Sequence, residues 1–149
     1  MQIPKLRSPH VKVGGLIYFG RMLDKIRLHA AGRLPSGYNL GDDDWWFFDA
    51  RCTRFLGVTY FALRERVLRG GADRTILLWC FRTGRKPSEE DIEIWNTFMQ
   101  KRGWNDAASA GLEEEKRADG LGDRADIRTW FELFDADEAL PHPPPKRVR

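Results

Sequence analysis

The stretch GRMLDKIRLHAAG, residues 20–32, decides how the chain folds, because apolar residues recur around it at helical spacing on more than one side. A helix advances by about 100° per residue, which places one apolar set on a common face: Leu16, Phe19, Met22, Leu23, Ile26 and Ala30. The opposite side carries a mixed set: Ile17, Arg21, Asp24 and Leu28. A surface helix normally has only polar residues on its outer side. We therefore predict a helix over residues 13–31 that ends at Gly32 and is at least partly covered on both sides.

Helical spacing also dominates the rest of the chain, whereas apolar alternation of period two is scarce. Capping residues and glycines predict five further helices: Thr59 to Gly70–Gly71, Asp73 to Gly84, Ser88 to Gly103, Asn105 or Asp106 to Ala118, and one that begins at Asp123. The fold class is therefore all-α, a compact single domain of about six short helices with a long irregular loop after the first. We expect this domain to cover residues 1–138, with an extended arm over residues 1–12. Residues 139–149 should be a disordered, proline-rich basic tail.

Composition places the chain among ordinary globular proteins, with 149 residues, 42% of them apolar and 32% charged. The net charge of +3 is unevenly spread: residues 1–40 carry +6 and residues 51–86 carry +7, but residues 106–138 carry −7. These segments either neutralise one another across the fold or leave a basic groove for an anionic ligand. The apolar run VGGLIYFG is too short for a membrane span, and no signal-peptide pattern opens the chain. We expect a soluble, cytoplasmic protein.

The charged residues of the first helix lie near a loop, residues 38–54, that supplies further polar groups. Arg21 and Asp24 are three residues apart and can pair directly. This pair either ties the loop to the helix or lines a cleft between them. In such a cleft Asp24 would orient Arg21, and Tyr38 would form a wall or donate a hydrogen bond. Four cations could bind a carboxylate or phosphate there: Arg21, Lys25, Arg51 and Arg54.

Catalysis in this cleft would require an acid–base group or a nucleophile. His29 and Asp49 are the acid–base candidates. Cys52 would be a nucleophile only beside a histidine, and a cysteine in an aromatic-rich segment more often packs in a core. Spacings typical of zinc sites, calcium loops, P-loops and dinucleotide-binding turns are missing. The sequence therefore predicts no metal site and indicates no cofactor.

Two function classes follow from these residues. The first is binding or turnover of a small anionic metabolite in the cleft between the first helix and loop 38–54. The second is a non-catalytic interaction module whose basic front docks an acidic protein partner. Trp45 and Trp46 are adjacent and cannot both point inward on a regular element, so one either caps a core edge or is exposed as an interface anchor. Nucleic acid is disfavoured by the acidic segment 106–138.

Two segments carry a resemblance to a known family: GRMLDKIRLHAAG at residues 20–32 and KPSEEDIEIWN at residues 86–96. Together with the sequence from Leu6 to Glu138 they are similar to a family of small bacterial proteins known only as a domain of unknown function. The resemblance implies a cytoplasmic, single-domain protein. It brings no activity, cofactor or catalytic residue. The tail PHPPPKRVR, residues 141–149, lies outside the family pattern.

Overall fold

A computed structural model describes residues 3–139, which fold into one small hairpin and seven helices. The strands are Lys12–Val13 (β1) and Leu16–Ile17 (β2), and the helices are Phe19–Ala30 (α1), Phe48–Leu56 (α2), Tyr60–Leu68 (α3), Asp73–Thr83 (α4), Glu89–Lys101 (α5), Ser109–Ala118 (α6) and Trp130–Glu138 (α7). The predicted all-α single domain is confirmed. From residue 140 onward, the predicted tail lies outside the described residues.

The first helix is shorter than predicted, because residues 12–17 form a β-hairpin. Gly14 and Gly15 have φ values of 56° and 85°, the pair of positive angles that a two-residue hairpin turn requires. Asn96 of α5 holds the hairpin with both ends of its amide: its Oδ1 accepts the Ile17 N–H at 3.1 Å, and its Nδ2 donates to the Gly15 carbonyl at 2.9 Å. The hairpin thus sets where α1 begins.

The loop after α1 is also shorter than predicted. It covers residues 31–47, and α2 occupies residues that the sequence had indicated as irregular. Asp49, Arg51 and Arg54 therefore project from a helix, which places Arg51 and Arg54, three residues apart, on one face and Asp49 on another.

The later helices follow their caps. The predicted caps at Thr59 and Ser88 are confirmed, and Ser88 forms a reciprocal capping box with Asp91. The helix predicted at Asp73 is present, but Asp73 is its first residue and does not cap it, because its carboxylate binds Arg7 and Arg27. The predicted start at Asp123 is wrong. The last helix begins after Thr129, whose hydroxyl accepts the N–H of Glu132 at 3.1 Å.

Most of the core surrounds α1, which packs against α3. Its predicted apolar face is buried as far as Ile26, as the exposures of 0–2% for Phe19, Met22, Leu23 and Ile26 show, whereas Ala30 at the end of the helix is exposed. The opposite side is buried as well, including Arg21, Asp24, Lys25 and Leu28, which confirms that α1 is covered on both sides. A smaller cluster lies beneath α6 and α7, formed by Leu112, Leu121, Ile127 and Leu133. Within residues 3–139, no helix combines the length and apolarity needed to cross a membrane.

A close backbone approach fixes α2 against the end of α4. A Cβ at Gly84 would clash with the carbonyl oxygen of Leu56. Glycine at this position lets the N–H of Arg85 donate to that same carbonyl at 2.9 Å. The orientation of α2, and of the arginines it carries, is therefore set by backbone contact.

Candidate functional site

Lys25 and Asp49 form a buried ion pair between α1 and α2. Lys25 Nζ lies 2.9 Å from Asp49 Oδ1, and the two side chains are 5% and 0% exposed. The Asp49 carboxylate also accepts the Tyr18 hydroxyl at 2.6 Å and the Gly41 N–H at 2.8 Å. Lys25 Nζ donates in addition to the Asn39 carbonyl at 2.7 Å. This network ties the loop after α1 to both helices.

The electrostatics of the network suit a structural role. Burial lowers the pKa of the Lys25 ammonium, and the Asp49 carboxylate only partly opposes this. Burial also raises the pKa of the Tyr18 hydroxyl well above its ordinary value, and Asp49 adds to that shift. Tyr18 therefore stays protonated and donates its hydrogen bond at all physiological pH values. A desolvated pair is worth keeping only when further hydrogen bonds complete it, and here those bonds come from the protein itself.

Arg21 forms a bidentate ion pair with Glu138 in the last turn of α7. Its Nη1 and Nη2 lie 2.7 Å and 2.5 Å from the two carboxylate oxygens. Tyr38 donates to Glu138 Oε2 at 3.1 Å, which is the hydrogen-bonding role predicted for it, directed to a protein group. Burial opposes the charge of Arg21, but Glu138 outweighs it and raises the pKa of the guanidinium. The two guanidinium nitrogens of Arg21 that could hold an external carboxylate therefore already bind Glu138.

Asp24 does not pair with Arg21, so the predicted direct pair is wrong. Arg7 of the N-terminal arm takes that place: its backbone N–H and Nε both donate to Asp24 Oδ2 at 2.9 Å, and its Nη2 donates to Oδ1 at 2.9 Å. Helical spacing shows which side chains can meet, but Glu138 on another helix binds Arg21 through both carboxylate oxygens. Asp24 consequently orients the arm and not Arg21.

The two acid–base candidates occupy different environments. His29 is exposed near the end of α1 and makes no side-chain hydrogen bond to any described residue, whereas Asp49 is 1% exposed. Neither residue lines either of two surface cavities. One, of about 400 Å³, is next to Gly103 and Trp104. The other, of about 540 Å³, lies between the N-terminal arm and the second half of α1.

Arg51 and Arg54 lie apart from the buried network. The guanidinium of Arg51 is 5.3 Å from the ring centre of Trp45 and 5.4 Å from that of Phe98. The guanidinium of Arg102 also lies over Phe98, at 5.5 Å. We call Trp45, Arg51, Arg54, Phe98 and Arg102 the arginine–aromatic surface. Of the predicted binding residues, only Arg51 and Arg54 belong to it.

The arginines of this surface have few negative partners. Arg51 Nε is buried and has no hydrogen-bond partner. Arg102 lies 3.4 Å from Asp106, while neither Arg51 nor Arg54 forms an ion pair with any described residue. Burial, followed by repulsion from Arg102 and Arg54, lowers the pKa of Arg51. Positive charge is therefore concentrated here, and Asp106 compensates only part of it.

Apolar side chains are exposed around these arginines. Trp45 is 67% exposed and the adjacent Trp46 is 51% exposed, so both tryptophans reach solvent. On α5, Phe98 is 39% exposed and Ile94, one turn earlier on the same face, is 60% exposed. Phe98 and Arg102 were missed at the sequence level, because Phe98 fits the apolar face that also includes Trp95 and Met99.

The cysteines supply no nucleophile. Cys52 and Cys80 are both buried, free thiols. Burial raises the pKa of Cys80 to about 12 and that of Cys52 well above its ordinary value, so neither thiol ionises at neutral pH. In the described part of the chain, no group of three His, Cys, Asp or Glu side chains is arranged to hold a metal ion.

Comparison with known proteins places the chain in a family. No curated protein matches its sequence. The family described as Domain of unknown function (DUF5069) matches residues 3–140. That span contains both segments that carry the resemblance, residues 20–32 and 86–96. The chain therefore belongs to the DUF5069 family of domains of unknown function.

Proposed function

We propose that this protein is a non-catalytic, cytoplasmic interaction module that docks an acidic protein segment on the arginine–aromatic surface. The observation that carries the proposal is Arg51, an arginine held between two aromatic rings with a buried Nε and no carboxylate partner. Stacking on rings fixes a guanidinium while its outer N–H groups stay directed at solvent. An aspartate or glutamate of a partner would supply the missing charge through a bidentate contact.

The composition of the surface also supports a protein partner. Tryptophan and arginine are the residues that most often dominate binding energy at protein interfaces. Trp45 and Trp46 present large apolar bodies to solvent beside the arginines. The arginine–aromatic surface has three cations and, among described residues, one carboxylate, Asp106, paired with one of them. Charge complementarity therefore favours an acidic segment with an apolar side chain that packs on the tryptophans.

The charged residues of α1 support this choice indirectly. Arg21 and Lys25, the cations proposed for a small metabolite, already bind Glu138 and Asp49. Binding an anion there would require one of these buried pairs to break, which costs about 3–5 kcal/mol. Arg51 and Arg54 need no such rearrangement.

The test is fluorescence anisotropy with a set of labelled acidic peptides that contain one aromatic residue, each matched to a peptide with Asn and Gln replacing Asp and Glu. Acidic peptides should bind more tightly than their matched amides, and less tightly as salt is added. Arg51→Ala and Trp45→Ala should each weaken binding by about 30-fold, the effect of a hot-spot residue.

Matched controls are Arg74→Ala and Phe61→Ala, which remove an exposed arginine and an exposed aromatic ring outside the arginine–aromatic surface. Both should leave binding unchanged. Equal losses in the control variants, or no preference for acidic peptides over amides, would overturn the proposal. Tighter binding of a labelled single-stranded DNA than of any peptide would assign the surface to nucleic acid instead.

A further inference from the structure

The cavity between the N-terminal arm and α1 has a composition that differs from the rest of the surface. We call it the arm cavity, and it is lined by Lys5, Arg7, Asp24, Arg27, Leu28, Ala31 and Arg33. Its α1 residues follow helical spacing and so form one face of that helix. Four of the seven lining residues are cationic and one is acidic. Its volume of about 540 Å³ falls in the range of small-molecule sites.

Two of the four cations are neutralised within the protein. Arg7 binds Asp24 at 2.9 Å and Asp73 at 2.7 Å, and Arg27 binds Asp73 at 2.8 Å. Burial tends to raise the pKa of Asp73, but the hydrogen bonds from Arg27 and Arg7 outweigh burial and lower it. These two arginines and two carboxylates form a neutral, hydrogen-bonded wall that anchors the arm on α1.

The other two cations have no such partner. Neither Lys5 nor Arg33 forms an ion pair with a described residue. The carboxyl end of α1 offsets about half a charge through the helix dipole. The arm cavity therefore keeps a positive excess of between one and two charges.

The backbone places both cations at the edge of the arm cavity. At the end of α1, the N–H of Arg33 donates to the Leu28 carbonyl at 2.8 Å and that of Gly32 donates to His29 at 3.0 Å, the two bonds of a Schellman motif. On the arm, Lys5 has a φ of 68°, an uncommon angle for a residue other than glycine. The Leu6 N–H donates to the Ile3 carbonyl at 3.2 Å and closes a turn around Lys5. The backbone positions of both residues are thus set by the main chain, which pre-organises a site.

We propose that the arm cavity binds a small organic phosphate monoester, with its phosphate at Lys5 and Arg33 and its organic part on Leu28 and Ala31. A phosphate monoester carries about −1.5 to −2 at neutral pH, which matches the uncompensated charge. The cavity is larger than an inorganic ion requires, and Leu28 and Ala31 are the apolar residues of its lining. This site is separate from the arginine–aromatic surface, so the two proposals stand or fall independently.

The test is thermal unfolding of the full chain with a sugar phosphate, inorganic phosphate or succinate, each compared with chloride at equal ionic strength. At about a hundred times its Kd, the sugar phosphate should raise Tm by roughly 5 °C or more. Inorganic phosphate should give a smaller rise at the same concentration. The rise should disappear in Lys5→Ala and Arg33→Ala, which replace exposed residues and should leave the unliganded Tm nearly unchanged.

Arg69→Ala and Arg74→Ala are the matched controls, because both remove an exposed arginine outside the arm cavity. They should retain the full shift. The proposal is overturned if no phosphate compound raises Tm above the chloride reference, or if the shift persists in both cavity variants. A larger shift with succinate than with either phosphate compound would also overturn it, since the site would then select dicarboxylates.

Discussion

Arg21 and Arg51 lie on the two helices that flank the same loop, yet their surroundings are opposite. Arg21 is 2% exposed and is held by both oxygens of Glu138. Arg51 lies between two aromatic rings, near two other arginines, with an Nε that bonds to nothing. The first arginine is satisfied by the fold and the second is not. Unsatisfied charge, more than the presence of charge, distinguishes a binding surface from a structural network in this protein.

The largest effect should come from removing the carboxylate of the buried network. Asp49→Ala would leave Lys25 charged and unpaired in the core and would remove the acceptor of Tyr18. Breaking a buried pair in this way should lower the free energy of unfolding by about 3–5 kcal/mol, measured by urea denaturation. Glu65→Ala, which removes a surface carboxylate 54% exposed, should change it by no more than about 0.5 kcal/mol. Similar losses of unfolding free energy in both variants would show that the buried network stabilises the fold no more than a surface carboxylate does.

A second test concerns Arg21 directly. Glu138→Gln keeps the shape of the side chain but removes its charge, so it should lower the free energy of unfolding by about 2–3 kcal/mol. The double variant Arg21→Met with Glu138→Leu should recover most of this loss, since apolar replacements of a buried pair are often close to neutral. A double variant less stable than Glu138→Gln would contradict this, because it would show that the ion pair stabilises the fold more than an apolar pair in the same place.

The comparison predicts a much smaller effect at Arg51. Arg51→Met would lose cation–π contacts worth about 0.5–1 kcal/mol but would relieve repulsion from Arg54 and Arg102. We expect the free energy of unfolding to change by less than about 0.5 kcal/mol, whereas Arg21→Met alone should lose several times more. The same urea titrations measure both variants. A loss at Arg51 equal to that at Arg21 would contradict the assignment of Arg51 to a binding surface.

The smallest change in the free energy of unfolding should come from Asp119. Like Arg51, this residue lies near side chains that carry the same charge as its own. Burial, then the charges of Glu115 and Asp137, raise its pKa from 3.8 to about 6. The folded state therefore holds this proton more tightly than the unfolded state, and stability falls as pH rises from about 4 to about 6. Asp119→Asn should raise the free energy of unfolding slightly at pH 7, by no more than about 0.3 kcal/mol. The gain should vanish at about pH 4, and a gain independent of pH would exclude this cause.

Local signals were sufficient for much of the fold. The helices after Thr59 and Ser88 begin at residues whose capping chemistry is visible in the sequence. The hairpin was missed because the apolar run around Gly14–Gly15 also fits a helix. Two short apolar runs separated by Gly-Gly are a hairpin signal in their own right.

The candidate sites were less predictable, because they depend on contacts between distant parts of the chain. Burial of Arg21, Asp24 and Lys25 followed from the apolar residues beside them. Their partners did not, since Glu138 is 117 residues from Arg21 and the Arg7 arm is 17 residues from Asp24. Sequence spacing within one helix cannot choose among carboxylates that only tertiary packing brings near.

The separation between Arg21 and Glu138 has a consequence for synthesis of the protein. A ribosome adds about 5–20 residues per second, so Glu138 is made roughly 6 to 23 s after Arg21. During that interval α1 carries an arginine destined for the interior with no carboxylate to receive it. The nascent chain consequently cannot form the Arg21–Glu138 pair until α7 has left the ribosome. Burial of this side of α1 is therefore expected as a late step of co-translational folding, although α7 is short.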